Sequence, residues 1–213
     1  MAGEGGSVTA LRTLRASVSA FLVGVLLGAQ LSPVSATDNL EREWIYLPNG
    51  CYDNYVRYNY GSPALPSQGF RDAIGRGKAK WGAVGRELFF SKQTTDIRVW
   101  IYYQQPGGGY EYALAVATLN AFPWWEVHNA TIDFNPHYDG SWYWGVSTPV
   151  PPDKYDVQSV ATHEFGHLVA LKHTSQSAND VMWGGGLDTG QARRTLTTHD
   201  KDGIKYFYPA MVC

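Results

Sequence analysis

The sequence predicts one mixed domain of the α+β class. Two observations carry that prediction. Tyr55–Tyr60, Ile97–Tyr103 and Thr131–Phe134 are rich in β-branched and aromatic residues and read as strands. Around them, apolar residues recur at helical spacing. No internal repeat and no Pro/Ser linker divides the chain, and 213 residues suit one domain with appendages.

The elements follow in order. Tyr55–Tyr60 is a short strand. Ser67 is a helix cap, and Phe70, Ile74, Gly77, Trp81 and Val84 form the apolar face of the helix it starts. Gly75, Gly77 and Gly82 weaken that helix. Leu88–Phe90 and Ile97–Tyr103 are strands, and Pro106–Gly109 is a loop. Tyr112–Leu119 reads as a strand, although its alanines leave a helix open. Thr131–Phe134 is a strand before a loop rich in Asn, Gly and Trp. A second helix starts near Asp156, a suitable N-cap. Gly184–Gly186 mark an irregular segment, and Leu196–Tyr208 is a final helix.

Composition removes several functions. The formal net charge is −2, with no basic footprint for nucleic acid. Aromatic residues make up 14% and charged residues 17%, which is the opposite of a disordered chain. At the N-terminus, Arg12 and Arg15 precede an uncharged stretch from Ala16 to Thr37, with an apolar centre from Ala20 to Ala29. Val34-Ser35-Ala36 then places small residues where a signal peptidase cuts. The apolar centre is too short to span a bilayer, which needs about 20 residues. The expectation is a signal peptide over residues 1–36 and a secreted, extracellular, monomeric domain over residues 37–213, with no membrane attachment after cleavage. Cys51 and Cys213 make an even pair. In an oxidising compartment they are expected to form a disulfide joining the two ends of the domain.

The chemistry is concentrated in His163-Glu164-Phe165-Gly166-His167. Histidines at i and i+4 lie one turn apart on one helical face, so both can reach one metal ion. Glu164 adjoins the first and can point at a water on that metal. This is the H-E-x-x-H arrangement of zinc proteases. His173 supplies a third imidazole, and three of the chain's 6 histidines fall within these eleven residues. Three neutral imidazoles leave one tetrahedral position for water, which makes the site catalytic. The metal activates that water, and Glu164 acts as general base and then acid. No Glu follows Glu164, which excludes a site whose third ligand is a downstream Glu.

His163–His173 (HEFGHLVALKH) with Met182 downstream resembles the metzincin signature and its Met-turn, in the matrixin branch. Ile74 and Trp81 in the first helix, Leu119–Pro123 and Asp200–Tyr208 also resemble matrixin segments. The resemblance implies a twisted, mostly parallel five-stranded sheet with three helices and a cleft across one catalytic zinc. It implies an endopeptidase acting on extended peptide or protein substrates. Those substrates would be held along an edge strand at Thr118, Leu119, Asn120 and Ala121. Met182 would lie under the zinc as packing. Asn120 and Asp133 stand where matrixins bind a structural zinc, so no second zinc is expected. Asn135 and Asp139 are candidate calcium ligands. Ala170 replaces a family glycine at a bend, where a left-handed backbone costs about 1–2 kcal/mol. Gly184 and Gly186 replace the Pro and Tyr that wall the specificity pocket. Pro48–Asp53 loosely resembles a segment that places a Cys51 thiolate on the zinc, an alternative to the disulfide. A non-catalytic zinc module, or a domain binding protein or carbohydrate surfaces through Trp124-Trp125 and Trp142–Trp144, is the rival reading.

Overall fold

The computed structural model describes residues 55–84, 89–95, 99–122, 126–136, 144–169 and 171–207. The expected signal peptide, Cys51, Cys213, Asp139, Ala170, Trp124, Trp125, Trp142 and Tyr143 lie outside these residues. Five strands form one sheet: β1 (Tyr55–Tyr60), β2 (Phe89–Lys92), β3 (Val99–Tyr103), β4 (Ala115–Phe122) and β5 (Glu126–Phe134). Their spatial order is β2-β1-β3-β5-β4. The first three pairings are parallel, and β4 runs antiparallel to β5 at the sheet's edge. A two-stranded parallel pair, β6 (Trp144–Gly145) and β7 (Tyr155–Asp156), was not foreseen and leads directly into a helix. The helices are α1 (Gln68–Gly82), α2 (Val157–Leu168) and α3 (Thr198–Phe207). None of them is long and apolar enough to cross a membrane.

Alternation along the strands builds the core. Val99, Ile101, Ile132 and Phe134 are buried, while Trp100, Tyr102, Thr131 and Asp133 between them are only partly so. Onto the buried face pack Phe70, Ile74 and Trp81 of α1 and Phe165 and Leu168 of α2. Phe70 meets Phe134 edge-on at 5.4 Å, and Tyr58 meets Phe165 at 6.3 Å. Trp144 joins this cluster against Phe70 and Phe134, so it serves the core and not an exposed binding face.

Several boundaries move. The Tyr112–Leu119 strand shifts to Ala115–Phe122, because a turn closed by Ala113 N–H on the Tyr110 carbonyl takes the first residues. Pairing with β5 settles strand over helix. That partner extends back to Glu126, well before the expected Thr131. Val84 falls beyond α1, where its N–H closes a tight turn on Trp81. The final helix begins at Thr198 because Thr197 caps it: the Thr197 N–H donates to Asp200 (2.9 Å) and the Asp200 N–H donates to the Thr197 hydroxyl (3.2 Å). Ser67 and Asp156 cap α1 and α2 as expected, accepting from Phe70 N and Ser159 N.

The two long helices approach through a glycine. A Cβ on Gly77 would lie 2.9 Å from both the Gln158 carbonyl oxygen and the Thr162 nitrogen. Trp81 then donates its indole N–H to the Thr162 carbonyl at 2.7 Å. Helix propensity alone says that Gly→Ala gains about 1 kcal/mol at either Gly75 or Gly77. Gly75 has nothing within 4 Å of such a Cβ, so Gly75→Ala is expected to stabilise by about 0.5–1 kcal/mol. Gly77→Ala must push α2 away and is expected to destabilise by about 1–3 kcal/mol. Urea unfolding of both variants checks this, and a stabilised Gly77→Ala would show that the helices separate freely.

Candidate active site

α2 carries His163, Glu164 and His167, and its start is fixed by an ion pair whose carboxylate is buried and whose guanidinium is partly exposed. Asp156 caps the helix and receives Arg194 at 2.6 Å and 2.7 Å through two nitrogens. After α2 the chain reverses, with Leu171 N–H bonded to the Gly166 carbonyl at 3.0 Å. Thr174 then pairs with Trp183, donating its N–H to the Met182 carbonyl at 2.7 Å. That bridge sets His173, between Leu171 and Thr174, opposite the α2 histidines.

The three Nε2 atoms form a nearly equilateral triangle. His163 and His173 stand 3.0 Å apart, and His167 is 3.2 Å from each. Two of the tautomers are forced. His163 Nδ1 faces the Val181 carbonyl and His167 Nδ1 faces the Leu171 carbonyl, each at 2.7 Å. A carbonyl can only accept, so both Nδ1 atoms carry the proton and both Nε2 atoms present lone pairs. Those lone pairs cannot hydrogen-bond to each other. A tetrahedral zinc with Zn–N of about 2.0–2.1 Å needs nitrogens about 3.3–3.4 Å apart. The triangle therefore fits that ion, and the two carbonyls are the outer partners that fix ligand orientation. Among the described residues these three histidines are the group of metal-ligating side chains that converges.

Burial sets the electrostatics. It pushes His167 down to about 3, with His173 adding to the effect and the Leu171 hydrogen bond opposing it. His163 lies well below its ordinary value through burial and its two histidine neighbours, and burial lowers His173 as well. Glu164 is 5% exposed, and burial raises its carboxyl to about 8, opposed by a backbone hydrogen bond from Ala117 of β4. The helix that bears the histidines and the edge strand thus meet at Glu164.

Met182 is 2% exposed and packs beneath α2: a Cβ on Gly166 would overlap its sulfur and lie 2.8 Å from Trp81. Thr118, Leu119, Asn120 and Ala121 all lie on β4, with Thr118 and Asn120 exposed. Asn120 donates its side-chain amide to Asn129 across the pair at 2.6 Å. Asn135 is fully buried and donates its amide to the Glu111 and Ala113 carbonyls at 2.8 and 2.9 Å. Gly184 runs against the His173 ring, its Cβ position 3.1 Å from that of His173.

Sequence reasoning missed the supports. Asp200 accepts the Val181 and Met182 N–H groups at 3.0 and 3.2 Å, which fixes the carbonyl that orients His163. The Thr197-x-x-Asp200 spacing is a capping-box signal that could have marked it. Ala117, Arg194 and the Leu171 and Val181 carbonyls had no such signal.

A family model described as matrixin matches residues 54–209. Metalloendoproteinase 1 of Glycine max is 29% identical over 147 residues, covering 65% of this chain and 45% of that protein. Metalloendoproteinase 2-MMP of Arabidopsis thaliana is 29% identical over 155 residues, covering 66% of this chain and 37% of that protein. The chain therefore spans less than half the length of these relatives. The matched span takes in every element from β1 to α3 together with the histidine triangle, and the chain belongs to the matrixin family.

Proposed function

We propose that the chain is a secreted zinc-dependent endopeptidase that hydrolyses peptide bonds of extended polypeptides. His163, His167 and His173 hold the ion and Glu164 is the general base. The observation that carries this reading is the convergence of three imidazoles, with a buried Glu164 carboxyl next in sequence to His163 on α2 and hydrogen-bonded by the backbone of the edge strand. Bound zinc would supply a Lewis acid that polarises the scissile carbonyl and acidifies a water. Glu164 takes the proton of the attacking water and delivers it to the leaving amine. In the metal-free fold burial raises this carboxyl to about 8, and a bound cation would favour the carboxylate that the base step requires. β4 offers its free edge to an extended peptide at Thr118, Leu119, Asn120 and Ala121. Met182 serves as packing under the histidines.

Residues 1–36 are the proposed export signal and Cys51–Cys213 the proposed disulfide of a monomeric product. Calcium at Asn135 and Asp139 gains no support from Asn135, whose amide is bonded to backbone carbonyls. A non-catalytic zinc module would have no use for a buried carboxyl in this place, and it would keep its function after chelation.

Glu164→Gln is expected to retain zinc and the fold while peptide hydrolysis falls about a hundredfold or more. Metal analysis with a peptide-cleavage assay reads both, and wild-type turnover in this variant would remove Glu164 from the mechanism.

Proton linkage gives a second expectation, for the metal-free protein. Below about pH 6.5 the unfolded chain protonates three histidines that the fold keeps neutral, so stability falls on acidification. Glu164 acts oppositely, since the fold holds its proton up to about 8 against 4.5 for an ordinary glutamate carboxyl. Between about pH 4.5 and 6.5 three rings outweigh one carboxyl. Above that window Glu164 acts alone and stability declines as pH rises to about 8. The site's contribution therefore peaks near pH 6.5. Denaturant unfolding of chelator-treated protein across this range checks it. A flat profile would mean that the rings are not enclosed as described.

A further inference from the structure

Arg193 stands beside the histidine triangle without an assigned role. Its backbone N–H donates to the Ser159 hydroxyl at 2.6 Å. Ser159 lies four residues before His163 and so on the same face of α2. On the other side runs Trp183–Gly186, the segment that touches His173 through Gly184. Arg193 spans the two. Its guanidinium carbon lies 5.2 Å from the centre of the Trp183 ring, and Nη1 donates to the Gly186 carbonyl at 3.0 Å. The Trp183 ring in turn lies flat over Gly185, where any Cβ would overlap it. The fork is therefore held in place by stacking and one hydrogen bond, a preorganised geometry for a planar anion.

No carboxylate pairs with it directly among the described residues, although the charges of Asp188, Asp200 and Asp180 reach it. Among the described residues Arg193 makes no ion pair. The oxygens of Asp180 and Asp200 are hydrogen-bonded to other groups, which leaves the Arg193 fork without a bound carboxylate. Asp180 accepts from His199 and Thr197, and Asp200 from Val181, Met182 and Thr197. Asp188 accepts from Gln191 on the exposed side. Partial burial weakens the hydration of the cation, which strengthens its attraction for a carboxylate arriving beside it. Its charge is close enough to be felt at His163.

We propose that Arg193 is a specificity-determining residue that selects peptides bearing an Asp or Glu side chain on a residue adjoining the scissile bond. This rests on the peptidase reading above. The charge-assisted pair would favour such a peptide about tenfold or more over its amide isostere.

The test uses the zinc-loaded full chain and acetylated, C-terminally amidated peptides, so that no terminal carboxylate competes. Matched pairs differ only as Asp/Asn or Glu/Gln at each of the two positions flanking the cleaved bond. The expected result is a kcat/KM ratio of about ten or more for the acidic peptide at one of those positions, shrinking as salt is added. Arg193→Gln brings that ratio to about one, and Arg193→Lys retains part of it. Equal kcat/KM for acid and amide in the wild type overturns the proposal while leaving the peptidase reading intact. A uniform loss on both peptides in Arg193→Gln with the ratio preserved also overturns it and makes Arg193 a clamp for the Trp183–Gly186 segment. Failure to cleave any peptide overturns both readings.

Discussion

Three imidazole nitrogens face one another across 3.0–3.2 Å with no proton to share between two of them, and much of the domain keeps them there. Left free, such lone pairs would rotate toward water. The Val181 and Leu171 carbonyls prevent that by holding the opposite ring nitrogens. Each carbonyl is itself fixed. Val181 belongs to a turn whose amides are held by the buried Asp200, and Leu171 is tied back to Gly166 at the end of α2. α2 is pinned at its start by the Asp156–Arg194 pair and along its side by the Gly77 contact. The local constraint thus reaches into a capping box, an ion pair and a helix crossing far apart in sequence.

One dry environment produces both halves of the acid–base character. Burial disfavours whichever form is charged, so it strips protons from the histidines and leaves one on Glu164. Without a cation the site is then neutral throughout: three bases and an undissociated acid. A divalent ion among the imidazoles would reverse the balance at Glu164 by making its charged form the favoured one. Ion binding and creation of the carboxylate are coupled by geometry alone, with no separate device to prepare the base.

Much of this was legible in the residues. The i, i+4 histidines with Glu164 between them fix a helix and a face at once, because their spacing has meaning only at 3.6 residues per turn. Ser67 and Asp156 announced their helices through side-chain oxygens that accept backbone N–H groups. Strand ends were less visible. Glu126, His128 and Asn129 carry little strand propensity, and only the backbone pairing with β4 extends the strand back to Glu126. The alanines of β4 carry no strong propensity, and only the pairing with β5 decides their state. The outer supports were hidden for another reason. Asp200, Arg194 and Ala117 act across long chain separations, and a single sequence records neither partner nor distance.

The position of β4 has a consequence for the protein in concentrated solution. A strand that ends a sheet exposes a row of backbone donors and acceptors, and any extended chain is complementary to them. A second folded copy or a partly unfolded neighbour presents the same backbone as a peptide would. The edge is therefore a colloidal liability as well as the proposed docking rail. Two features restrain it. Thr118 and Asn120 put polar side chains at the exposed positions, and the register with β5 breaks between Asn120 and Ala121. The break bends the strand and shortens the straight run over which a foreign strand can stay in step. Short guests remain accommodated while long, flat, self-propagating pairings are cut off.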